Sequence, residues 1–122
     1  ELDVPKAQKF VDSNEKLRGH CKVLSPEQRN VALSDPNVHA AMCASTTSTH
    51  DGIIRACFEH KKPVFSEKPI AETVSKTMEV CQLSTKVGVP LFCGFNRRSD
   101  TQFLDLKNRV DQGVVGRPMI IK

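Results

Sequence analysis

Pro63-Val64-Phe65-Ser66-Glu67-Lys68-Pro69-Ile70 is the stretch that decides the fold. Its first four residues are short and mostly apolar, which predicts a brief strand. Glu67, Lys68 and Pro69 are polar or turn-forming. Beyond them Ile70, Val74, Met78 and Cys81 recur at spacings of four, four and three, the rhythm of an amphipathic helix. Gly88 is placed to stop that helix. The unit is therefore strand, polar loop, helix.

The same unit repeats outward in both directions. Upstream, residues 38–45 are mostly small and apolar without alternation, which predicts a strand buried on both faces of a sheet. A polar loop at 46–49 follows. Ile53, Ile54, Cys57 and Phe58 then form a helical stripe that runs into Glu59-His60-Lys61-Lys62. Downstream, residues 89–95 predict another strand, Phe103, Leu106 and Val110 a helix ending before Gly113, and Met119 the start of a further strand. Near the beginning, Pro5 suits a first helical turn, and Ala7, Phe10 and Val11 carry a stripe that runs to about Gly19. Residues 21–24 predict a short strand. Ser25-Pro26-Glu27 opens a brief helix that the turn cluster Ser34-Asp35-Pro36-Asn37 closes.

Alternating strands and helices with short loops imply an α/β fold, with right-handed crossovers and a parallel sheet. Ligands of such sheets bind beyond the carboxyl ends of the strands. The loops of interest are therefore those around Asp3, at 46–50, at 67–69 and at 96–100.

Composition narrows the function classes. Hydrophobic residues make up 39% and charged residues 26%, an ordinary balance for a globular domain. The net charge of +4 is spread over scattered lysines and arginines, and there is no Trp or Tyr to stack on bases. Nucleic acid is therefore not an expected partner. Nor is a membrane, since no apolar run approaches the length of a spanning helix. Five cysteines without a Cys-x-x-Cys spacing argue against a disulfide framework and a zinc site, so no metal is expected. Buried free thiols in a reducing compartment are the simpler reading, which gives a cytoplasmic expectation.

Four stretches together resemble the glucose–fructose oxidoreductase, inositol dehydrogenase and MocA (Gfo/Idh/MocA) family. Ser34-Asp35-Pro36-Asn37-Val38-His39-Ala40 looks like the family's entry into its fourth strand. Ser45-Thr46-Thr47-Ser48-Thr49-His50 looks like its strand-end loop, with Thr47 where the family commonly has Pro. Val64-Phe65-Ser66-Glu67-Lys68-Pro69-Ile70-Ala71 matches its signature. Gly94-Phe95-Asn96-Arg97-Arg98-Ser99-Asp100, with Val114-Val115-Gly116-Arg117-Pro118, is similar to the inositol 2-dehydrogenase branch. Glu-Lys-Pro alone is a weak tripeptide. The four stretches in this order form a specific pattern.

The resemblance implies a partial Rossmann-like, doubly wound parallel sheet over residues 1–95, and the beginning of an α+β substrate and oligomerisation domain over 96–122. It implies NAD as cofactor, with NADP possible, a polyol or sugar substrate such as myo-inositol, and a homo-oligomeric complete protein. None of the six glycines forms the Gly-x-Gly-x-x-Gly turn with which the family begins. The chain is therefore expected to be a fragment that starts near the end of the second strand.

The same resemblance assigns the residues. Lys68 is the catalytic residue: it bonds the reacting hydroxyl and takes part in proton transfer. A lysine is a poor base near neutral pH unless its surroundings favour the neutral amine. Glu67 and Pro69 belong to the nicotinamide end of the cofactor, and the Lys68–Pro69 bond is expected to be cis. Ser45, Thr46, Thr47, Ser48 and His50 flank the cofactor ribose and nicotinamide. The bland reading of this loop is a Ser/Thr helix cap, and of His50 a structural residue at a helix start. Asp3 falls where an acid holds the adenosine ribose, and its bland reading is the cap of the helix at Pro5. Arg97 and Arg98 are expected to split, one towards cofactor or substrate and one paired with a carboxylate such as Asp100. Two other readings stay open: a non-catalytic module, and a different NAD-assisted reaction on a sugar.

Overall fold

The computed structural model describes residues 3–119. Asp3 caps α1 (Val4–Ser13): its carboxylate accepts the Lys6 amide at 2.9 Å, and Pro5 stands in the first turn. The helix stops at Ser13, short of Gly19, because Asn14 turns extended (φ −110°, ψ 111°). Residues 15–20 complete a turn in which Gly19 takes φ +78°, a left-handed conformation that suits glycine. A 3-10 turn at Pro26–Gln28 leads into α2 (Arg29–Ser34).

The alternating part follows as β1 (Ala41–Cys43), α3 (Thr47–Glu59), β2 (Val64–Ser66), α4 (Val74–Val87) and β3 (Leu91–Cys93). A 3-10 turn at Asn96–Arg98 then precedes α5 (Thr101–Asp111). The three strands are parallel and in the order β1-β2-β3. Residues 21–24, expected as a strand, lie outside this sheet. In the doubly wound order 3-2-1-4-5-6 a third strand meets the fourth only through the first two, and the sheet here begins at Ala41. The further strand expected from Met119 falls mainly on 120–122, outside the described residues.

Register explains the core. Ala41, Val64 and Leu91 align across the sheet, as do Cys43, Ser66 and Cys93. Side chains alternate along a strand, so these two rows share one face. The α3 and α4 helices lie against each other and over that face, where Cys43, Ile54, Cys57, Phe58, Val64, Val80 and Val89 form the core. The middle row, Met42, Phe65 and Phe92, faces the other way. Met42 is 71% and Phe92 65% exposed, and the Phe65 and Phe92 rings stack at 5.4 Å. The strand expected to be buried on both faces is thus covered on one, among the described residues.

Helix phase follows the same logic. The stripe in α3 is as expected, with Ile54, Cys57 and Phe58 buried and Ile53 packed against the core. In α4 it differs. Thr73 caps the helix by accepting the Lys76 amide, so the helix begins four residues after Ile70. Val74 is 81% exposed and Met78 54% exposed, while Val80, Leu83 and Val87 turn inward. Ile70 is buried from the loop instead.

The five thiols are all reduced, and their positions predict a reactivity order. Cys21 and Cys81 are exposed, whereas Cys43 and Cys57 are buried. Burial, and then the neighbouring Cys43, push the Cys57 thiol above its ordinary range, so it stays protonated and unreactive. Iodoacetamide at mildly alkaline pH is expected to label Cys21 and Cys81 first, and Cys57 only on unfolding. Peptide mass mapping checks this order. Labelling of Cys57 in the folded protein as fast as Cys21 would contradict the packing described.

Candidate active site

A parallel sheet brings all its strand ends to one edge. Three loops meet there: 44–46 after β1, 67–69 after β2 and 94–95 after β3. Two hydrogen bonds just past the strands stitch them together. Glu67 N–H donates to the Cys43 carbonyl at 2.8 Å, and Gly94 N–H donates to the Ser66 carbonyl at 2.8 Å. The side chain that sequence reasoning placed at the centre, Lys68, is exposed on the middle loop. Its peptide bond to Pro69 is cis, as the resemblance implied. Glu67 is half-buried, and its Oε2 accepts the Lys68 amide at 3.3 Å. The carboxylate thus bonds the main chain of Lys68, and no ion pair among the described residues joins the two side chains.

The loop after β1 is held by its own hydroxyls. Ser45 Oγ lies 2.6 Å from Thr49 Oγ1, and Thr49 Oγ1 donates to the Thr46 carbonyl at 2.8 Å. Thr46 occupies the cap position of α3 without a side-chain capping bond. Thr47 and Ser48 open the helix, where backbone N–H groups lack intrahelical acceptors. Thr49 was not among the expected residues. The signal was present, since Thr49 is the third helical residue after the Thr46 cap, a position whose polar side chain turns back towards the chain that enters the helix.

His50 is placed differently from a residue facing a ligand. It is 1% exposed, and its two ring nitrogens lie against main-chain carbonyls, Nδ1 at 2.7 Å from Pro69 and Nε2 at 3.1 Å from Ser45. Gly94 is a second residue whose part was not read from the sequence. A Cβ there would meet Phe65 Cζ at 3.0 Å and the Ser66 carbonyl at 3.4 Å, so glycine permits the close approach of the second and third loops. Beside it, burial, then Cys81 and the Glu67 carboxylate, push the Cys93 thiol up.

For the two arginines, the expected pairing with a carboxylate such as Asp100 is corrected. Arg97 lies over the Phe103 ring at 4.6 Å and Arg98 over the Phe95 ring at 5.1 Å. Asp100, the expected partner, instead caps α5 by accepting the Gln102 and Phe103 amides. A cap carboxylate satisfies two helix-start donors, and the planar guanidinium stacks well on aromatic faces. Among the described residues no group of three or more His, Cys, Asp or Glu converges to hold a metal ion, and no helix is long and apolar enough to cross a membrane.

Residues 5–95 match a family model described as an oxidoreductase family with an NAD-binding Rossmann fold. This chain belongs to the Gfo/Idh/MocA oxidoreductase family. A myo-inositol 2-dehydrogenase of Thermotoga maritima is 39% identical over 90 residues, which is 74% of this chain and 27% of that protein. An inositol 2-dehydrogenase of Mycolicibacterium smegmatis is 36% identical over 102 residues, 83% of this chain and 29% of that protein. The crystal structure of a probable dehydrogenase from Thermotoga maritima superposes with a TM-score of 0.79 at 31% identity, over 97% of this chain and 34% of that one. The chain thus spans between a quarter and about a third of the length of these Gfo/Idh/MocA relatives. What it contributes to the family fold is the parallel sheet with the loops at its carboxyl edge.

The residues present fit part of a nicotinamide dinucleotide. The carboxyl edge offers the hydroxyls of Ser45 and Thr46, the first amides of α3, the Glu67 carboxyl group and the exposed Lys68 side-chain nitrogen, a donor and acceptor set suited to a ribose and a carboxamide. The pyrophosphate turn of the Gfo/Idh/MocA fold is not formed by any of the six glycines.

Proposed function

We propose that this chain is the strand-end core of an NAD-dependent dehydrogenase that oxidises a secondary alcohol of a cyclitol or sugar, with myo-inositol as the model substrate. The observation that carries the reading is the conjunction at the carboxyl edge: the loop bearing Lys68 leaves β2 directly beside the end of β1, where Glu67 N–H bonds the Cys43 carbonyl and the hydroxyl-rich stretch 45–49 begins. The two relatives named for inositol oxidation support the substrate class.

Bound NAD supplies the hydride acceptor. Everything else falls to the protein. Lys68 Nζ, in its neutral amine form, would bond the reacting hydroxyl and take its proton, becoming the ammonium. Glu67 and Pro69 hold the middle loop against the nicotinamide end. Ser45, Thr46, Thr47 and Ser48 line the ribose. Asp3 serves both as helix cap and as the adenosine ribose acid, and a carboxylate there favours NAD over NADP by repelling a 2′-phosphate. Arg97 and Arg98, stacked on their rings, present donors at the substrate side. We place a domain division after residue 95, with residues 96–122 opening the substrate and oligomerisation domain of a homo-oligomer. Support for that division comes from α5, none of whose residues is buried.

The test is direct. The protein carrying this chain, mixed with NAD and myo-inositol, is expected to show the rise in near-ultraviolet absorbance that marks nicotinamide reduction. Glucose and scyllo-inositol serve as competing substrates, and NADP as competing cofactor. No reduction with any polyol or sugar would sink the dehydrogenase reading. It would favour the non-catalytic alternative if NAD still binds.

A further inference from the structure

His50 and Ser66 are the buried polar residues of the core side of the sheet, and only His50 reaches across to other loops. It stands in the first turn of α3, where a capping residue needs no contact with β2. Yet its Nδ1 approaches the Pro69 carbonyl, nineteen residues on, at 2.7 Å, while Nε2 approaches the Ser45 carbonyl at 3.1 Å. One carbonyl belongs to the loop after β1, the other to the loop that presents Lys68. A carbonyl can only accept, so the shorter contact requires a proton on Nδ1. A neutral ring then meets Ser45 through a bare nitrogen, and a protonated ring donates to both.

We infer that His50 is a positioning residue whose Nδ1–H fixes the Pro69 carbonyl, and with it Lys68, while its Nε2 edge sets the distance to the Ser45 loop. The ring is a spacer between the two halves of the site. The side chain is inaccessible, so it acts through these loops and not on substrate. Water cannot replace the missing donor cheaply at a closed position, since an unsatisfied buried acceptor carries its full desolvation cost. Small displacements at a reacting group are expensive for turnover. The kinetic consequence rests on the dehydrogenase reading above. The hydrogen-bond geometry does not.

Two amide side chains separate the two contacts. The Asn amide nitrogen reaches about as far as imidazole Nδ1, and the Gln amide nitrogen about as far as Nε2. In the protein carrying this chain, assayed with NAD and myo-inositol, His50→Leu is expected to lower kcat by about tenfold to a hundredfold. His50→Asn is expected to recover most of that kcat. His50→Gln, whose amide nitrogen falls at the Nε2 position and away from the Pro69 carbonyl, is expected to leave kcat near the Leu value. Equal kcat in all three variants overturns the inference, because a merely structural histidine would not distinguish the surrogates. Nitrogen-15 NMR of the unsubstituted protein provides a readout independent of turnover and of how the variants fold. A proton bonded to Nδ1 and slow to exchange is expected, and an unprotonated Nδ1 overturns the inference. Absence of any NAD reduction would sink the dehydrogenase reading while the nitrogen spectrum still decided the His50 contact.

Discussion

Lys68→Ala in the protein carrying this chain is expected to abolish measurable oxidation of myo-inositol while leaving NAD binding essentially intact. Positioned proton transfer contributes about 10²- to 10⁴-fold to turnover, and loss of the residue that also holds the hydroxyl removes that factor together with substrate alignment. Binding is spared for a structural reason. The Lys68 side chain is exposed, and the loop beneath it is secured by other groups. Glu67 N–H bonds the Cys43 carbonyl at 2.8 Å, the Pro69 carbonyl meets His50, and Ile70 is buried. None of these is lost with the Lys68 side chain. Lys68→Arg sharpens the result, since arginine keeps the charge but does not deprotonate at working pH. It is expected to be nearly as inactive as the alanine variant. Steady-state kinetics with NAD titration checks both. Near-normal turnover in Lys68→Ala would sink the assignment. Recovery in Lys68→Arg would shift the role of Lys68 from proton transfer to electrostatics.

The order of elements was legible because apolar runs, polar loops and glycines punctuate this chain clearly. The strands at 41–43, 64–66 and 91–93 all fall inside the runs that predicted them. Sidedness was not legible. An apolar run such as 38–45 cannot tell whether Met42 will be covered, because that depends on segments far away in the chain. Helix phase in α4 was misread for a local reason. Counting the stripe from Ile70 ignored the Thr73 cap, which starts the helix later and turns Val80 inward. At the site, Glu67, Lys68 and Pro69 could be placed at a strand end from sequence alone. The inward turn of His50 could not. A histidine at a helix start reads the same whether it faces solvent or reaches the Pro69 carbonyl, and that contact exists only after β1 and β2 have paired. The Arg97 stack on Phe103 depends likewise on how α5 folds back over the preceding turn, and the Arg98 stack on Phe95 on how that turn closes, neither of which charge counting reveals.

Ile54→Ala is expected to cost about 2–5 kcal/mol of folding stability, the range for truncating a fully buried aliphatic side chain to a methyl. Ile54 is 0% exposed and belongs to a cluster that joins α3 to the sheet and to α4, through Cys57, Val64 and Val80. The surroundings have little freedom to collapse into the gap. Cys43 and Val64 are held by strand pairing, and Val80 by the capped helix. Typical domains are stable by only about 5–15 kcal/mol, so one such cavity consumes a large share of the total. Val74→Ala is the control. Val74 is 81% exposed on the opposite side of α4, and its truncation is expected to stay within about 0.5 kcal/mol. Urea unfolding followed by far-ultraviolet circular dichroism measures both, and an unchanged denaturant slope shows that the difference lies in stability. A cost for Ile54→Ala no larger than for Val74→Ala would contradict the core assignment. The consequence reaches the site as well. The first turn of α3 carries Thr47 to His50 and follows directly on Ser45 and the Thr46 cap, so loosening its packing against the sheet frees both contacts that His50 makes. A temperature at which turnover falls before the Ile54→Ala protein unfolds is therefore expected to lie below that of the Val74→Ala control.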